Sequence, residues 1–469
     1  MKILVTGATG FVGHNLVRKL ICSGHQVVGL TRSRTRAYEK TSLPVEWVEW
    51  DYLSAKEIPE AAISGVEGVI NLAGESIADA RWSKEQKKRI LNSRVETTKA
   101  LVRLVNNHGS EVKSFTSASA IGFYEANQKN QTLDESSPLG SGYLPDVCHQ
   151  WEQATGDLKN EISKSIVRIG VVLGRESGAL SKLMPIFKLG GGGPIGFGKQ
   201  WMSWVHVDDL TEILIKLTLN HNFKGTFNAV SPNPVTNKEF TKAFSRALKI
   251  PALFPVPPLM LKIIFGEMSC IILDSQKVLP KSLESIGFEF QYSDIQAALD
   301  NLCNLGKWET LKKDLPMDMF IKEHFLPISS EKAFQFFKEA KNLERITPEW
   351  LNFKVVRQTT AQIQQGTIFD YKLKVHGIPL NWRTHISDWK ENESFVDYST
   401  KGPYRVWHHT HQFIPVEGGV VMIDKVRFKV PGPFFLSPVI NFFVKKDIQK
   451  IFHHRTEVIE KEFSDAINT

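Results

Sequence analysis

Ile3-Leu-Val-Thr-Gly7-Ala-Thr-Gly10-Phe-Val-Gly13, then a helical stretch, then Gln26-Val-Val-Gly-Leu-Thr-Arg32, is the segment that decides the fold. It reads as a strand, a glycine turn, a helix and a second strand, and a glycine motif in that setting marks a nucleotide site. Gly7 permits the tight turn. Gly10 lets backbone N–H groups at the positive end of the helix approach a pyrophosphate, and Gly13 lets that helix pack closely on the strand. Thr9, Phe11 and Val12 belong to the same turn and count with the three glycines as cofactor-binding residues. The residue that ends the second strand selects the dinucleotide. An acidic side chain there accepts the ribose 2′-OH of NAD, whereas Arg32, with Arg34 and Arg36 behind it, favours the 2′-phosphate of NADP(H).

At 469 residues the chain exceeds one ordinary core, so two domains are expected. Its 42% hydrophobic and 23% charged residues are those of a globular protein, not a disordered one. The net charge of +8 is spread along the chain with no basic block, so no nucleic-acid partner is expected. Cys22, Cys148, Cys270 and Cys303 are widely spaced and form no C-x-x-C, which indicates neither a disulfide framework nor a zinc site. Met1-Lys2 runs directly into the first core strand, so no signal peptide is read there. The apolar stretch from Phe434 to Val444 is about half the length that spans a bilayer and contains Pro438, so the expectation is a cytoplasmic protein with no membrane span.

Beyond Arg32, short apolar strands alternate with amphipathic helices, the pattern of a doubly wound parallel sheet covered on both faces. Strands are predicted near 45–49, 67–72, 112–117 and 165–172, with long helices near 83–107 and 146–160. Ligand groups in such a sheet come from the carboxyl ends of strands, here Asn71-Leu72-Ala73-Gly74 and Thr116-Ser117-Ala-Ser119. From about 180 to 300 the alternation loosens into a small substrate lobe that carries Gly190 to Pro194 and Trp201 to Asp209. A polar, proline-containing break over 304–316 separates residues 1–303 from 317–469. The second part reads as a helix at 330–340, then alternating strands, then a final helix from about 437, an α+β arrangement of antiparallel sheet and helix.

The first 300 residues resemble epimerase-family, extended short-chain dehydrogenase-like proteins. The resemblance is carried by Thr6 to Gly13, Asn71-Leu-Ala-Gly-Glu75, Arg81-Trp82, Asn92-Ser-Arg94, Val147 to Glu152, Arg168 to Gly174 and Trp204 to Asp209. Val256-Pro-Pro-Leu, Gly266-Glu267, Pro280 and Gly287 to Phe290 resemble the family's C-terminal extension, at about 250–300. The resemblance implies a Rossmann-type fold and NAD(P) binding. The last 150 residues resemble the SRPBCC or START-like helix-grip superfamily through Leu343 to Trp350, Gly402-Pro-Tyr404, Trp407, His409-x-His411 and Asp424-x-Val426. That implies a cavity for a hydrophobic ligand, for which Trp350, Tyr371, Trp382, Trp389, Tyr404, Trp407, Phe434, Phe435, Phe442 and Phe443 supply aromatic lining or ordinary core.

One departure matters for chemistry. A short-chain dehydrogenase generally uses a Tyr-x-x-x-Lys pair one helical turn apart, the lysine lowering the pKa of the tyrosine that moves the proton. Here Tyr143 is followed four residues on by Val147, and no lysine appears until Lys159; Tyr52 and Lys56 have the spacing but follow a peripheral strand. The catalytic candidates are therefore Ser117, Ser119 and Cys148, each with a structural alternative: strand-end serines satisfying backbone groups, and a small buried helix residue. Asp51, Leu72, Ala73, Gly74 and Arg94 join the cofactor set, and Arg81, Trp82, Trp201 and His206 the substrate set. His206 reads either as an acid or base or as part of a segment fixing the lobe. His409 and His411 share one face of a strand, but no third ligand is apparent in sequence, so no metal is expected. The resulting expectation is an NADP(H)-binding oxidoreductase or epimerase-like enzyme acting on a small molecule. Its alternative is a cofactor sensor or hydrophobic-ligand module without turnover.

Overall fold

The computed structural model describes residues 1–127, 131–308, 311–432 and 437–464. Phe434 and Phe435, residues 309–310 of the 304–316 break, and the side chain of Pro438 lie outside the described residues. The chain divides into two compact units. The first comprises Met1–Ile21, His25–Lys40 and Val45–Leu302, and the second comprises Cys303–Thr469 with Cys22–Gly24 and Thr41–Pro44.

The first unit is built on seven parallel strands: β1 (Lys2–Thr6), β2 (Gln26–Thr31), β3 (Val45–Glu49), β4 (Gly68–Asn71), β5 (Ser114–Ala120), β6 (Ser163–Ile169) and β7 (Gly225–Ala229). Their order across the sheet is β7-β6-β5-β4-β1-β2-β3, a Rossmann-like arrangement. Central strands of such a sheet are covered on both faces and need unbroken apolar runs. Ile3, Leu4, Val5, Val69 and Ile70 supply them and are fully buried. The strand order reverses between β1 and β4, so a crevice opens outside their carboxyl ends, where doubly wound sheets bind ligands.

Helix α1 (Phe11–Cys22) follows β1, and α2 (Lys84–His108) lies between β4 and β5. Ser83 starts α2 by accepting from the Gln86 amide, and the Gly109 amide closes it on the Val105 carbonyl. Helix α3 (Tyr143–Gln153) begins earlier and ends sooner than the predicted 146–160. The reason is local: after Gln153 the amides of Thr155 and Gly156 fold back on Glu152 and Gln153 as turns, and Gly156 contributes no helix propensity.

The second unit is one antiparallel sheet of β8 (Asp318–Leu326), β9 (Lys354–Gln358), β10 (Ile368–Val375), β11 (Ile378–Lys390), β12 (Ser394–Lys401), β13 (Val406–Val416) and β14 (Gly419–Lys429), with the long helix α4 (Ser437–Ser464) after it. The order is β8-β14-β13-β12-β11-β10-β9, so the first strand pairs with the last. Phe334, Phe369, Phe395, Phe413 and Ile459 belong to one buried cluster of this unit, and Val426, Phe428, Ile448 and Phe452 to another. No helix among the described residues is long and apolar enough to cross a membrane.

Candidate functional site

The glycine turn has the geometry its sequence predicts. Gly7 adopts φ +66°, and a β-carbon on it would lie 2.8 Å from the Leu72 carbonyl oxygen at the end of β4. Gly13 is tighter: a β-carbon there would stand 2.1 Å from the Gly7 carbonyl oxygen, because α1 starts directly against the turn. Gly10 is exposed, and its added β-carbon would meet only the Gly7 carbonyl oxygen, at 3.1 Å. The Gly10 carbonyl accepts the first helical bond, from His14, at 2.8 Å. Helical geometry then leaves the first-turn amides of Phe11, Val12 and Gly13 without intrahelical acceptors, facing the positive end of the helix dipole. Thr9 is half-buried in the turn. The Phe11 ring sits where a β-carbon on Gly174 would be, 2.0 Å from its Cζ, so Gly174 lets the turn be clamped from the far side.

The end of β4 is held by a closed hydrogen-bond network. Thr6 Oγ1 donates to Asn71 Oδ1 at 2.8 Å and accepts from the amides of Leu72 and Ala73, each at 3.0 Å. Asn71 Nδ2 donates to Thr98 Oγ1 at 2.8 Å and to Ser117 Oγ at 3.2 Å. Every polar group of the buried Asn71 side chain is thereby matched. Ser117 is 1% exposed, and its hydroxyl accepts from Asn71 here, the contact that a strand-end support would make.

Arg94, on α2, reaches over this strand end. Its Nη1 donates to the carbonyls of Glu75 at 3.0 Å and Ile90 at 2.9 Å, and its guanidinium lies 5.1 Å from the Trp151 ring centre. A β-carbon on Gly74 would be 2.9 Å from Arg94 Cζ, so the glycine makes room for the cation. Among the described residues no carboxylate forms an ion pair with Arg94, and burial lowers its pKa. A desolvated cation beside a strand end favours an anion. At the outer side of the crevice Arg32 is exposed and, like Arg34 and Arg36, makes no ion pair among the described residues. The Asp51 carboxylate accepts from the Leu53 amide at 3.0 Å and shapes the turn after β3. Tyr52 packs against the core beside it.

Ser119 belongs to a second network. Its hydroxyl donates to Glu152 Oε1 at 2.6 Å, and Glu152 is gripped by Arg168 through Nε–Oε1 at 2.8 Å and Nη2–Oε2 at 2.9 Å. Arg168 Nη1 donates to Tyr124 Oη at 2.9 Å, which donates to Asn228 Oδ1 at 2.7 Å. Sequence reading had no route to Tyr124 or Asn228, because they lie 104 positions apart. Cys148 is 4% exposed, and burial pushes its thiol up to about 12. A nucleophilic thiol needs a lowered pKa, so this burial matches the small buried helix residue given above as the alternative. Under native conditions near neutral pH, Cys148 is expected to resist iodoacetamide while the half-buried Cys22 reacts first, as read by peptide mass spectrometry. Rapid alkylation of Cys148 would contradict this.

Two substrate-set residues bond the protein's own backbone. Arg81 Nε donates to the Ile264 carbonyl at 2.9 Å and its Nη2 to the Ile263 carbonyl at 2.7 Å, capping the carboxyl end of helix Pro258–Phe265. His206 is 1% exposed; its Nδ1 accepts from the Asp208 amide at 3.1 Å, starting helix Val207–Leu219, and its ring stacks on Tyr292 at 4.0 Å. Burial lowers its pKa, and its Nδ1 is committed to the helix start. Trp201 is half-buried under Lys277, whose Nζ lies 4.7 Å from the ring centre. Trp82 meets Tyr143 edge to face at 5.0 Å. Lys87 Nζ lies 4.8 Å from the Tyr143 ring centre, so the fold does bring a lysine to this tyrosine. It stands over the ring face and is ion-paired with Glu267 at 2.6 Å, while burial pushes the Tyr143 hydroxyl up to about 12.

The comparisons with known proteins fall on this unit. The NAD dependent epimerase/dehydratase family matches residues 3–229, and a domain of unknown function, DUF1731, matches 256–302. The chain is similar to the epimerase family protein SDR39U1 homolog, chloroplastic, of Arabidopsis thaliana, with 38% identity over 301 residues, 64% of this chain and 86% of that protein. It is 35% identical over 303 residues to the epimerase family protein YfhF of Bacillus subtilis, covering 64% of this chain and 98% of that one. A crystal structure of the human epimerase family protein SDR39U1 with NADPH superposes with a TM-score of 0.59 at 31% identity, covering 65% of this chain and 99% of that one. With more than four-fifths of both sequence relatives spanned at over 30% identity, the chain belongs to the epimerase family.

Proposed function

We propose that residues 1–303 bind NADP(H) across the crevice between β1 and β4 and act as an oxidoreductase or epimerase-like enzyme on a small molecule. The observation that carries the cofactor is the fit of the turn. Gly10 is open where a diphosphate must approach, the free amides of α1 point there, and Gly7 and Gly13 admit no side chain. Arg32 takes the 2′-phosphate, Arg94 lies beside the strand end that the Asn71 network fixes, and Asp51, Leu72, Ala73 and Gly74 complete the wall. The human SDR39U1 structure with NADPH supports the same choice. When bound, the nicotinamide supplies or receives the hydride. Ser117 and Ser119 are the strand-end hydroxyls of this site; both are buried, Ser117 accepting from Asn71 and Ser119 donating to Glu152, which Arg168 grips in turn. Trp82 and Trp201 offer half-buried indoles to the substrate side.

Calorimetric titration tests the reading. NADPH is expected to bind about 10- to 100-fold more tightly than NADH, the worth of a charge-assisted contact of roughly 1.5–3 kcal/mol, and Arg32→Ala is expected to erase that difference. Equal affinities in the parent chain would refute the preference. A second reading, a cofactor-dependent sensor without turnover, is favoured by one observation: Ser117 is committed to Asn71 and Cys148 is held as a neutral thiol. NADPH consumption against a panel of carbonyl compounds separates the two readings.

For the second unit we infer a helix-grip domain that holds an apolar ligand, with 304–316 as the linker and 317–469 as the domain. The support is the seven-stranded antiparallel sheet followed by the long α4, and the cluster of Tyr371, Trp382, Tyr404 and Trp407. Fluorescent fatty-acid or aromatic probes added to the full chain test it.

A further inference from the structure

His409 and His411 alternate along β13 and therefore share a face. The register sets Asp397 of β12 directly opposite His409 and Asp424 of β14 directly opposite His411. Three adjacent strands thus bring two imidazoles and two carboxylates together in the interior. His409, His411 and Asp424 are at most 6% exposed. Aromatic rings close the surroundings: Phe395 stacks on His411 at 4.3 Å, and Phe452 lies 5.7 Å from His409.

The two carboxylates do different work. Asp397 Oδ2 lies 3.2 Å from His409 Nδ1 and 3.1 Å from His411 Nε2. Asp424 Oδ1 addresses the opposite nitrogens, His409 Nε2 at 2.8 Å and His411 Nδ1 at 2.8 Å. The first of these is a hydrogen bond, whereas His411 Nδ1 has no hydrogen bond of good direction although it is buried. Asp424 Oδ1 also receives a bond from Arg455 Nη1 of α4 at 3.2 Å, and Arg455 is 8% exposed. No Lys or Arg among the described residues pairs with Asp397. One carboxylate is therefore neutralised by a guanidinium, and the other is presented with one nitrogen of each ring.

We propose that Asp397, His409 and His411 bind a divalent first-row transition metal ion, with Asp424 and Arg455 as the outer support of the two imidazoles. Donors each about 2.1 Å from a tetrahedral ion stand about 3.4 Å apart, close to the spacings of Asp397 Oδ2 from the two rings, and one donor atom from each residue lies within 4.8 Å of the others. Ligating histidines typically pass their second nitrogen to a carboxylate, which fixes the ring and its tautomer; Asp424 receives that bond from His409 and lies 2.8 Å from the second nitrogen of His411. Three protein donors leave at least one position for water or an oxygen-bearing ligand, and the mixed nitrogen and oxygen set suits zinc or iron(II). With two neutral rings, the ion offsets Asp397 and leaves one positive charge for an anionic ligand to meet.

The test uses the full chain, stripped with a chelator and titrated with Co²⁺ and then with Zn²⁺. One equivalent of Co²⁺ is expected to give visible ligand-field bands that Zn²⁺ abolishes. X-ray absorption of the Zn²⁺ form is expected to show two imidazoles with oxygen and no sulfur. Asp397→Asn and His411→Gln are each expected to weaken binding by at least about 100-fold, and Asp424→Asn by about 10- to 100-fold, the usual effect of losing an outer partner. No stoichiometric uptake by the parent chain, sulfur in the absorption spectrum, or undiminished binding by variants that still melt cooperatively would each overturn the proposal. Should a variant not fold, the absorption spectrum of the parent chain decides alone.

Discussion

Gly10→Ala is expected to abolish NADPH binding with little loss of stability, while Gly13→Ala loses both. The two glycines sit three residues apart in one turn, yet their surroundings differ. A β-carbon at position 10 meets one oxygen at 3.1 Å and otherwise solvent, so the fold absorbs it with a small shift. The same methyl occupies the approach to the α1 amides, and losing two charge-assisted bonds to a diphosphate of roughly 1.5–3 kcal/mol each weakens binding by at least about 100-fold. A methyl at position 13 falls 2.1 Å from a backbone oxygen, which no side-chain rotation relieves. The turn must move, at a cost of about 1–3 kcal/mol, and the amides move with it. Calorimetry with NADPH and urea unfolding, both on the full chain, measure the two effects. NADPH affinity unchanged in Gly10→Ala would remove the diphosphate from this turn.

Glu152→Ala carries the second large effect, a destabilisation of about 3–5 kcal/mol in the unit that holds the parallel sheet. The Glu152 side chain is 14% exposed and that of Arg168 6%, so removing the carboxylate strands a guanidinium away from water. Ser119 loses its acceptor at the same time. The ion pair need not stabilise the fold in absolute terms, because two desolvated charges gain little over a well-packed apolar pair. Hence Glu152→Leu combined with Arg168→Met is expected to recover most of the loss. Urea unfolding of the two single variants and the double variant reads this as a coupling energy. A loss under about 1 kcal/mol in Glu152→Ala would mean that Arg168 finds another partner or water.

The same chemistry separates what was legible in residues from what was not. The glycine turn, the apolar strands and the α2 boundaries follow from contacts within a few positions, so short-range rules reach them. Strand β8 was not predicted, because its segment Asp318–Leu326 mixes Lys322, Glu323 and His324 into an otherwise apolar run, and its partner β14 lies about 100 residues later. Pairing, not propensity, makes it a strand.

Sequence by itself determined the Rossmann-like half, the turn geometry of its three glycines and the place of Arg32 just past the end of β2, because each depends on local backbone geometry or on position after a strand. Tertiary structure alone decided what the polar side chains do. It committed Ser117 to Asn71, His206 to a helix start and Arg81 to a helix end, and it buried Cys148. It also gave His409 and His411 the carboxylate that reading along the strand could not find, since Asp397 stands 12 and 14 positions away and becomes a neighbour only through the register of β12 on β13. A side chain's role is set by its burial and by the groups facing it, and both are long-range properties that exist only once the sheets have formed.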